Sequence, residues 1–378
     1  MKLKRSYLIL MIVLLLANNI AHAREDYPLT CAKSAILIDG KSGRVLWGKN
    51  TQERLPMAST TKLMTALVAL ENSNISDKVV VPPIAQGVEG SSIYLNEGEQ
   101  LTMEDLLYGL MLKSGNDASV AIAHAVGMGS VEDFVAIMNT TAIRIGAYNT
   151  NFTNTHGLPC DDHYTTAYDL AQIAAYAMKN PKFEEIVSTK YKEIPWDGSP
   201  WNRALKNNNK LLWNFEGANG IKTGFTKKAG RCLVSSAKRD GVNLVCVVLN
   251  CGPMFEDSSS ILEYGFQKYS NYRLVDSTTC IKTIPVEGGA SRKVNVCPQV
   301  DYELALTDEE YALLDVGIKT PEVLYAPLTK GEVCGKIIIS LKGDTIKEIS
   351  LVLDSDISID RFQKFWGKIS DIWSKVKG

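Results

Sequence analysis

The chain is divided by two hydrophobic periods. Ala35-Ile36-Leu37-Ile38-Asp39 and Arg44-Val45-Leu46-Trp47, joined by a turn over 40–43, read as a β-hairpin. From Lys62 the spacing lengthens: Leu63, Ala66, Leu67 and Leu70 recur at helical intervals, so Ser59 is expected at or near a helix N-terminus. A second helix is predicted over 103–112, with Thr102 as cap and Asp105 closing a capping box. Ser114-Gly115-Asn116 breaks it, 117–126 resumes as a short apolar helix, and a further helix spans 167–178. Period two returns at Gly220-Ile221-Lys222-Thr223-Gly224, at 231–237 and, after Asp240-Gly241, at 244–249, predicting adjacent antiparallel strands. A helix over 258–270 closes a first domain near 273. From Cys280 to Asp354 short strands and turns predict a small all-β domain, as in Lys336-Ile337-Ile338-Ile339-Ser340-Leu341 and 346–353 around Gly343-Asp344.

Both ends read as addresses. Lys2, Lys4 and Arg5 precede an apolar run over 7–17, and Ala21-His22-Ala23 offers small residues for cleavage, so residues 1–23 are expected to be a signal peptide. At the other end Ile359, Phe362, Phe365, Trp366, Ile369, Ile372, Trp373 and Val376 form one helical stripe, with Arg361, Lys364, Lys368, Lys375 and Lys377 mostly off it. The segment 357–378 is expected to be an amphipathic helix lying on a membrane surface. The chain has net charge −1, and losing the three basic residues of 1–23 leaves −4. That balance gives no support for nucleic-acid binding. Eight cysteines and four histidines fit no metal-ligand spacing, and no metal or cofactor is expected. The disulfide pairing stays open.

The chemistry lies in three short polar clusters. Ser-x-x-Lys is expected roughly once by chance at about 5–7 % per residue type; it occurs at Ser59/Lys62, Ser235/Lys238 and Ser374/Lys377. Ser235 falls in a predicted strand and Ser374 in the charged tail, which leaves Ser59. Lys222-Thr223-Gly224 is rarer and occurs once. Ser59 and Lys62 stand at i and i+3, so one helix face presents both. A serine hydroxyl needs a base to take its proton, and Lys62 serves only when neutral. Burial and a second cation would lower its pKa, at about 1.4 kcal/mol per unit, and Lys222 is the candidate cation. Backbone N–H groups at the helix start stand where an oxyanion would form. His124 reads as a core residue, and His156 and His163 flank a Gly157-Leu158-Pro159 loop in turn or packing roles.

With Met57-Ala58-Ser59-Thr60-Thr61-Lys62, Lys113-Ser114-Gly115-Asn116-Asp117 and Gly220-Ile221-Lys222-Thr223-Gly224-Phe225 in that order, the chain resembles the serine D-Ala-D-Ala carboxypeptidases, the low-molecular-mass penicillin-binding proteins. The resemblance covers essentially the whole mature chain. It implies an α/β (α+β) catalytic domain over 24–273, with an antiparallel sheet and a helical cluster, then a β domain over 274–356 and the tail over 357–378. It also implies an exported enzyme at the outer face of the bacterial cytoplasmic membrane. Peptidoglycan stem peptides would be its substrates and β-lactams its covalent inhibitors.

In that scheme Ser59 attacks the carbonyl between two terminal D-alanines, Lys62 takes its proton and Ser114 relays a proton to the leaving group. Asn116 holds the substrate backbone, Lys222 and Thr223 hold the terminal carboxylate, and Gly224 and Phe225 continue the binding strand. The N–H groups of Ser59 and Phe225 form the oxyanion hole. Two departures stand out. Many relatives have His or Tyr at the Phe225 position, and some carry an arginine where this chain reads Asn207-Asn208-Asn209-Lys210. The rivals are a β-lactamase of the same fold, for which no Glu-x-x-Leu-Asn stretch is found, a transpeptidase, and a catalytically idle wall-binding protein.

Overall fold

The computed structural model describes residues 27–360. The expected signal peptide and residues 361–378 of the expected tail helix lie outside them.

The catalytic half is built on a five-stranded antiparallel sheet. Its strands are β1 (Ser34–Asp39), β2 (Val45–Lys49), β3 (Ala218–Thr226), β4 (Gly230–Arg239) and β5 (Val242–Leu249), in the order β2-β1-β5-β4-β3. Alternation sends Ile36, Ile38, Val234, Val245 and Val247 to one face and Leu37, Leu233, Leu244 and Val248 to the other. The first face is covered by α1 (Lys62–Asn72), α2 (Met103–Leu112), α3 (Asn116–Val126), α4 (Val131–Ile145), α5 (Ala167–Ala177) and α6 (Pro181–Ser188). The second is covered by α7 (Met254–Lys268). Because β3 lies at the end of the order, one of its edges is left unpaired by the sheet.

The hairpin, α2 with its Thr102/Asp105 capping box, α3, α5 and strands β3 to β5 form where the periods predict them. Helix α7 starts at Met254 and stops at Lys268, and Ser270–Val275 is a strand paired with Tyr302–Leu306. Helices α4 and α6 are additions to the sequence reading. Each has a local signal: Ser130 caps α4, and Asn180 with Pro181 opens α6.

The β domain is a six-stranded sheet around Val333–Leu341 and Asp344–Leu353, with its own core of Ile284, Val296, Ile339, Leu351 and Ile357. Cys280 and Cys297 are bonded within it. Ile357 is buried and bridges Leu328, and Ile359 bridges Gly289. Ile359, the first residue of the expected helical stripe, and Ile357, the first apolar residue of the expected tail segment, therefore pair within the β domain: apolar side chains spaced two apart also suit an extended segment closing a β core. The bidentate Arg44–Glu310 pair (2.8 and 2.9 Å) and the Lys41–Glu303 pair join the two halves.

Candidate active site

Ser59 sits on a single 3₁₀ turn, Ala58–Thr61, immediately before α1. Its neighbour Ala58 has a left-handed backbone (φ +48°), which costs a non-glycine residue and persists only where the surroundings enforce it. They do so through a relay. Thr153 N–H donates to His163 Nδ1 (3.1 Å), so the ring proton lies on Nε2, which donates to Thr61 Oγ1 (2.8 Å). The Thr61 hydroxyl then donates to the Ala58 carbonyl (2.8 Å). Gly157 packs on the same carbonyl, where a Cβ would stand 1.9 Å from its oxygen. Burial holds His163 neutral, at about 4.

Lys62 opens α1 and is completely buried. Its Nζ lies 2.6 Å from Asn116 Oδ1, 2.7 Å from the His156 carbonyl and 3.1 Å from Ser59 Oγ. Burial pushes its pKa well below the usual lysine range, and the neighbouring Lys222 cation pushes it in the same direction; Asp117 opposes them. A neutral amine has two N–H groups and one lone pair. With the two shorter contacts taking those N–H groups, an uncharged Lys62 would direct its lone pair toward the Ser59 hydroxyl. His156, whose carbonyl helps orient Lys62, is itself held neutral at about 4 by burial and then by Lys62.

Ser114 and Asn116 come from the break between α2 and α3. Ser114 is buried with φ +65°, and its hydroxyl has no partner among the described residues. Asn116 begins α3; its Nδ2 donates to the Glu89 carbonyl while its Oδ1 accepts from Lys62, leaving one amide N–H unassigned. The second cation, Lys222, is buried on β3, and burial lowers it to about 7. A Cβ on Gly224 would meet the backbone nitrogens of Ser59 (3.0 Å) and Thr60 (3.1 Å), tighter than ordinary contact, so glycine favours the close approach of β3 to the nucleophile's backbone. Thr223 is half-buried, and Phe225 is 62 % exposed with Arg231 5.7 Å from its ring centre.

Of the expected residues, Lys62 contacts both Ser59 and Asn116, Gly224 lies against the Ser59 backbone and Lys222 is within electrostatic reach of Lys62. Ser235 lies within β4, where its hydroxyl bonds the Cys246 carbonyl. His124 is half-buried in the last turn of α3 rather than in the core: a helix end meets solvent even where its sequence is apolar.

The segment 207–209 is occupied with backbone. Asn209 Nδ2 donates to the Gly220 carbonyl (2.7 Å), and Asn207 binds the Val187 and Thr189 carbonyls. Two supports escaped the sequence reading. Asp117 accepts from Ser92 Oγ, Ile93 N and Leu95 N (2.6, 3.0 and 3.1 Å), and Arg203 forms a buried pair with Glu99. Both join residues far apart in sequence. Among the described residues no three His, Cys, Asp or Glu side chains are grouped to hold a metal.

The family model for D-alanyl-D-alanine carboxypeptidases matches residues 21–252, and that for the C-terminal domain of penicillin-binding protein 5 matches 269–358. The chain is 32 % identical to the D-alanyl-D-alanine carboxypeptidase DacF of Bacillus subtilis, with all of both chains covered. It is 33 % identical to the D-alanyl-D-alanine carboxypeptidase DacA of Escherichia coli, over 93 % of this chain and 89 % of that one. The crystal structure of penicillin binding protein 5 from Haemophilus influenzae superposes with a TM-score of 0.73 at 29 % identity, covering 88 % of this chain and 99 % of the other. With its family model matched over residues 21–252 and a relative 32 % identical across the whole chain, this chain belongs to the D-alanyl-D-alanine carboxypeptidase family.

Proposed function

We propose that Ser59 is the nucleophile of this D-alanyl-D-alanine carboxypeptidase and that neutral Lys62 is its base. The observation that carries the reading is the 3.1 Å separation of Lys62 Nζ and Ser59 Oγ inside a pocket that suppresses the lysine's charge. Lys62 removes the Ser59 proton as Oγ attacks the penultimate D-alanine carbonyl. The oxyanion is met by the N–H groups of Ser59 and Phe225. Ser114, whose hydroxyl is uncommitted, passes a proton to the departing D-alanine nitrogen. Lys222 and Thr223 hold the terminal carboxylate, and the remaining Asn116 N–H binds the stem backbone. Water then releases the acyl-enzyme, with Lys62 again as base. β-Lactams acylate Ser59 by the same route. The division at residue 273 assigns this chemistry to 24–273 and leaves 274–356 without a reactive group.

The test is mass spectrometry of the penicillin adduct together with D-alanine release from a pentapeptide. The adduct is expected on Ser59, and the Ser59→Ala variant is expected to release none; equal release by both proteins overturns the assignment.

The finer placement is also proposed. Residues 1–23 direct export, and the basic, aromatic-striped segment 361–378 attaches the enzyme to the outer face of the cytoplasmic membrane. Deleting 361–378, and not Ile357 with the β-domain core, is expected to release the protein from vesicles of anionic lipid while sparing catalysis. Unchanged retention overturns the anchor.

A further inference from the structure

The segment that begins at Arg203 alternates between inside and outside. Arg203, Leu205, Asn207 and Asn209 are buried, whereas Ala204, Lys206, Asn208 and Lys210 are exposed. The buried asparagines fasten the segment to backbone: Asn207 Nδ2 donates to the Thr189 carbonyl (2.9 Å) and Asn209 Nδ2 to the Gly220 carbonyl (2.7 Å). The Asn208 N–H donates to the carbonyl of Leu112, the last residue of α2 (3.1 Å). Lys206, Asn208 and Lys210 share the outer side, where they line a cavity of about 410 Å³ together with Lys113, Trp213 and Asn214. Lys113 directly precedes Ser114. The Lys206 ammonium stands 5.5 Å from the centre of the Trp213 ring, and that of Lys210 5.7 Å from the centre of the Phe255 ring.

Three cations meet in this cavity, and no carboxylate lines it. Among the described residues none of the three lysines is in an ion pair. Like charges gathered without a counter-charge repel one another, and an anion entering the cavity relieves that repulsion.

Its place in the fold selects the anion. Strand β3 runs from Gly220 through Lys222 and Thr223 to Gly224, whose backbone lies against Ser59. On the proposed mechanism the reacting carbonyl stands at Ser59 and the terminal carboxylate one step back, at Lys222 and Thr223. Asn209, bonded to Gly220, puts the lysine segment a further step back, past the end of the peptide. What points there is the negative charge of the chain end. A chain continuing beyond the second D-alanine would bring a neutral amide instead.

We propose that Lys113, Lys206 and Lys210 form an outer carboxylate site that draws the free end of the peptide into the cleft and receives the carboxylate of D-alanine once it is released. The proposal rests on the carboxypeptidase reading of the cleft and adds a solvent-facing field to Lys222 and Thr223. Exposed charges act at a distance and are screened by salt, so the site speeds capture rather than chemistry.

The experiment follows D-alanine release from a pentapeptide between low ionic strength and about 1 M, where the Debye length falls to about 3 Å. The proteins are the full chain, the double variant Lys206→Gln with Lys210→Gln, and the charge-keeping Lys206→Arg with Lys210→Arg. Both positions are exposed, so the substitutions spare the fold. At low salt the glutamine variant is expected to lose roughly three- to tenfold in kcat/KM with kcat unchanged, and to converge with the wild type at high salt. The arginine variant is expected to follow the wild type. A loss equal at every ionic strength, a fall in kcat, or no loss at all overturns the site. Binding of free D-alanine, read by NMR line broadening, needs no turnover. It is expected to weaken in the glutamine variant, and equal binding by both proteins overturns the site. A wild type acylated by penicillin on Ser59 whose D-alanine release ignores salt overturns the outer site alone; a missing adduct removes the reading on which it rests.

Discussion

Lys62 approaches Ser59 with its longest contact: Nζ stands 3.1 Å from Oγ but 2.6 and 2.7 Å from Asn116 Oδ1 and the His156 carbonyl. The shorter pair fixes the orientation of the amine, and on the proposed mechanism the longer one is the path of the Ser59 proton. Replacing Lys62 by Met is expected to slow penicillin acylation by roughly 10²–10⁴-fold, the usual weight of a positioned base. Lys62→Arg is expected to be no better, because a guanidinium does not deprotonate in this pH range. Stopped-flow acylation measures both; substantial activity in the arginine variant contradicts the neutral-base assignment.

The two buried lysines set opposite limbs of the pH profile. Lys62 must be uncharged, and its pKa lies well below the ordinary lysine range, so the acid limb of kcat/KM is expected far below pH 10. Lys222 must be charged to hold a carboxylate, and its value of about 7 places the alkaline limb of the free enzyme near neutrality. Lys222→Arg keeps the charge and is expected to remove that alkaline limb. A limb that persists in the variant belongs to another group.

His156 and His163 make folding sensitive to acid. Both are held at about 4 in the folded protein, mainly by burial, against 6.5 for the free side chain. Between those values the unfolded chain binds more protons than the native one, so stability rises with pH across the window and is lost as pH falls from about 6.5 toward 4. His163→Gln is expected to flatten the pH dependence of the denaturation midpoint. A slope identical to the wild type rules out this source.

The Arg203–Glu99 pair is buried and holds together segments 104 residues apart. Arg203→Met leaves Glu99 unpaired and the Ile93, Tyr94 and Pro195 carbonyls without their donor. It is expected to cost about 3–5 kcal/mol by chemical denaturation. The double change Arg203→Met with Glu99→Gln is expected to recover part of that loss; no recovery means the carbonyl contacts outweigh the ion pair.

Local signals were legible, and the contacts between distant segments were not. The capping box of Thr102 and Asp105, the alternation in β3 to β5 and the placement of Ser59 before an amphipathic helix are all written within a few residues. The hydroxyl–amine pair was legible because both members share one turn. Asp117 was not singled out: an acidic residue in the first turn of a helix reads as an N-terminal charge, and nothing local reveals that it gathers Ser92, Ile93 and Leu95. Arg203 gave no signal for a similar reason, since its partner is fixed only by the packed fold. Ile357 and Ile359 show how two periods coincide over a few residues, so that the end of a β domain reads as the start of a helix. Among eight cysteines, adjacency in space chose Cys280 and Cys297.

The edge of β3 that the sheet leaves unpaired offers main-chain groups to a ligand. An extended strand laid along that edge is read through main-chain donors and acceptors, which every residue possesses. Side-chain variation in the middle of a ligand then alters affinity little. On the proposed mechanism, discrimination would fall on the handedness of the residues beside Ser59 and on the free end of the chain, so that one scaffold would accommodate wall polymers of differing composition.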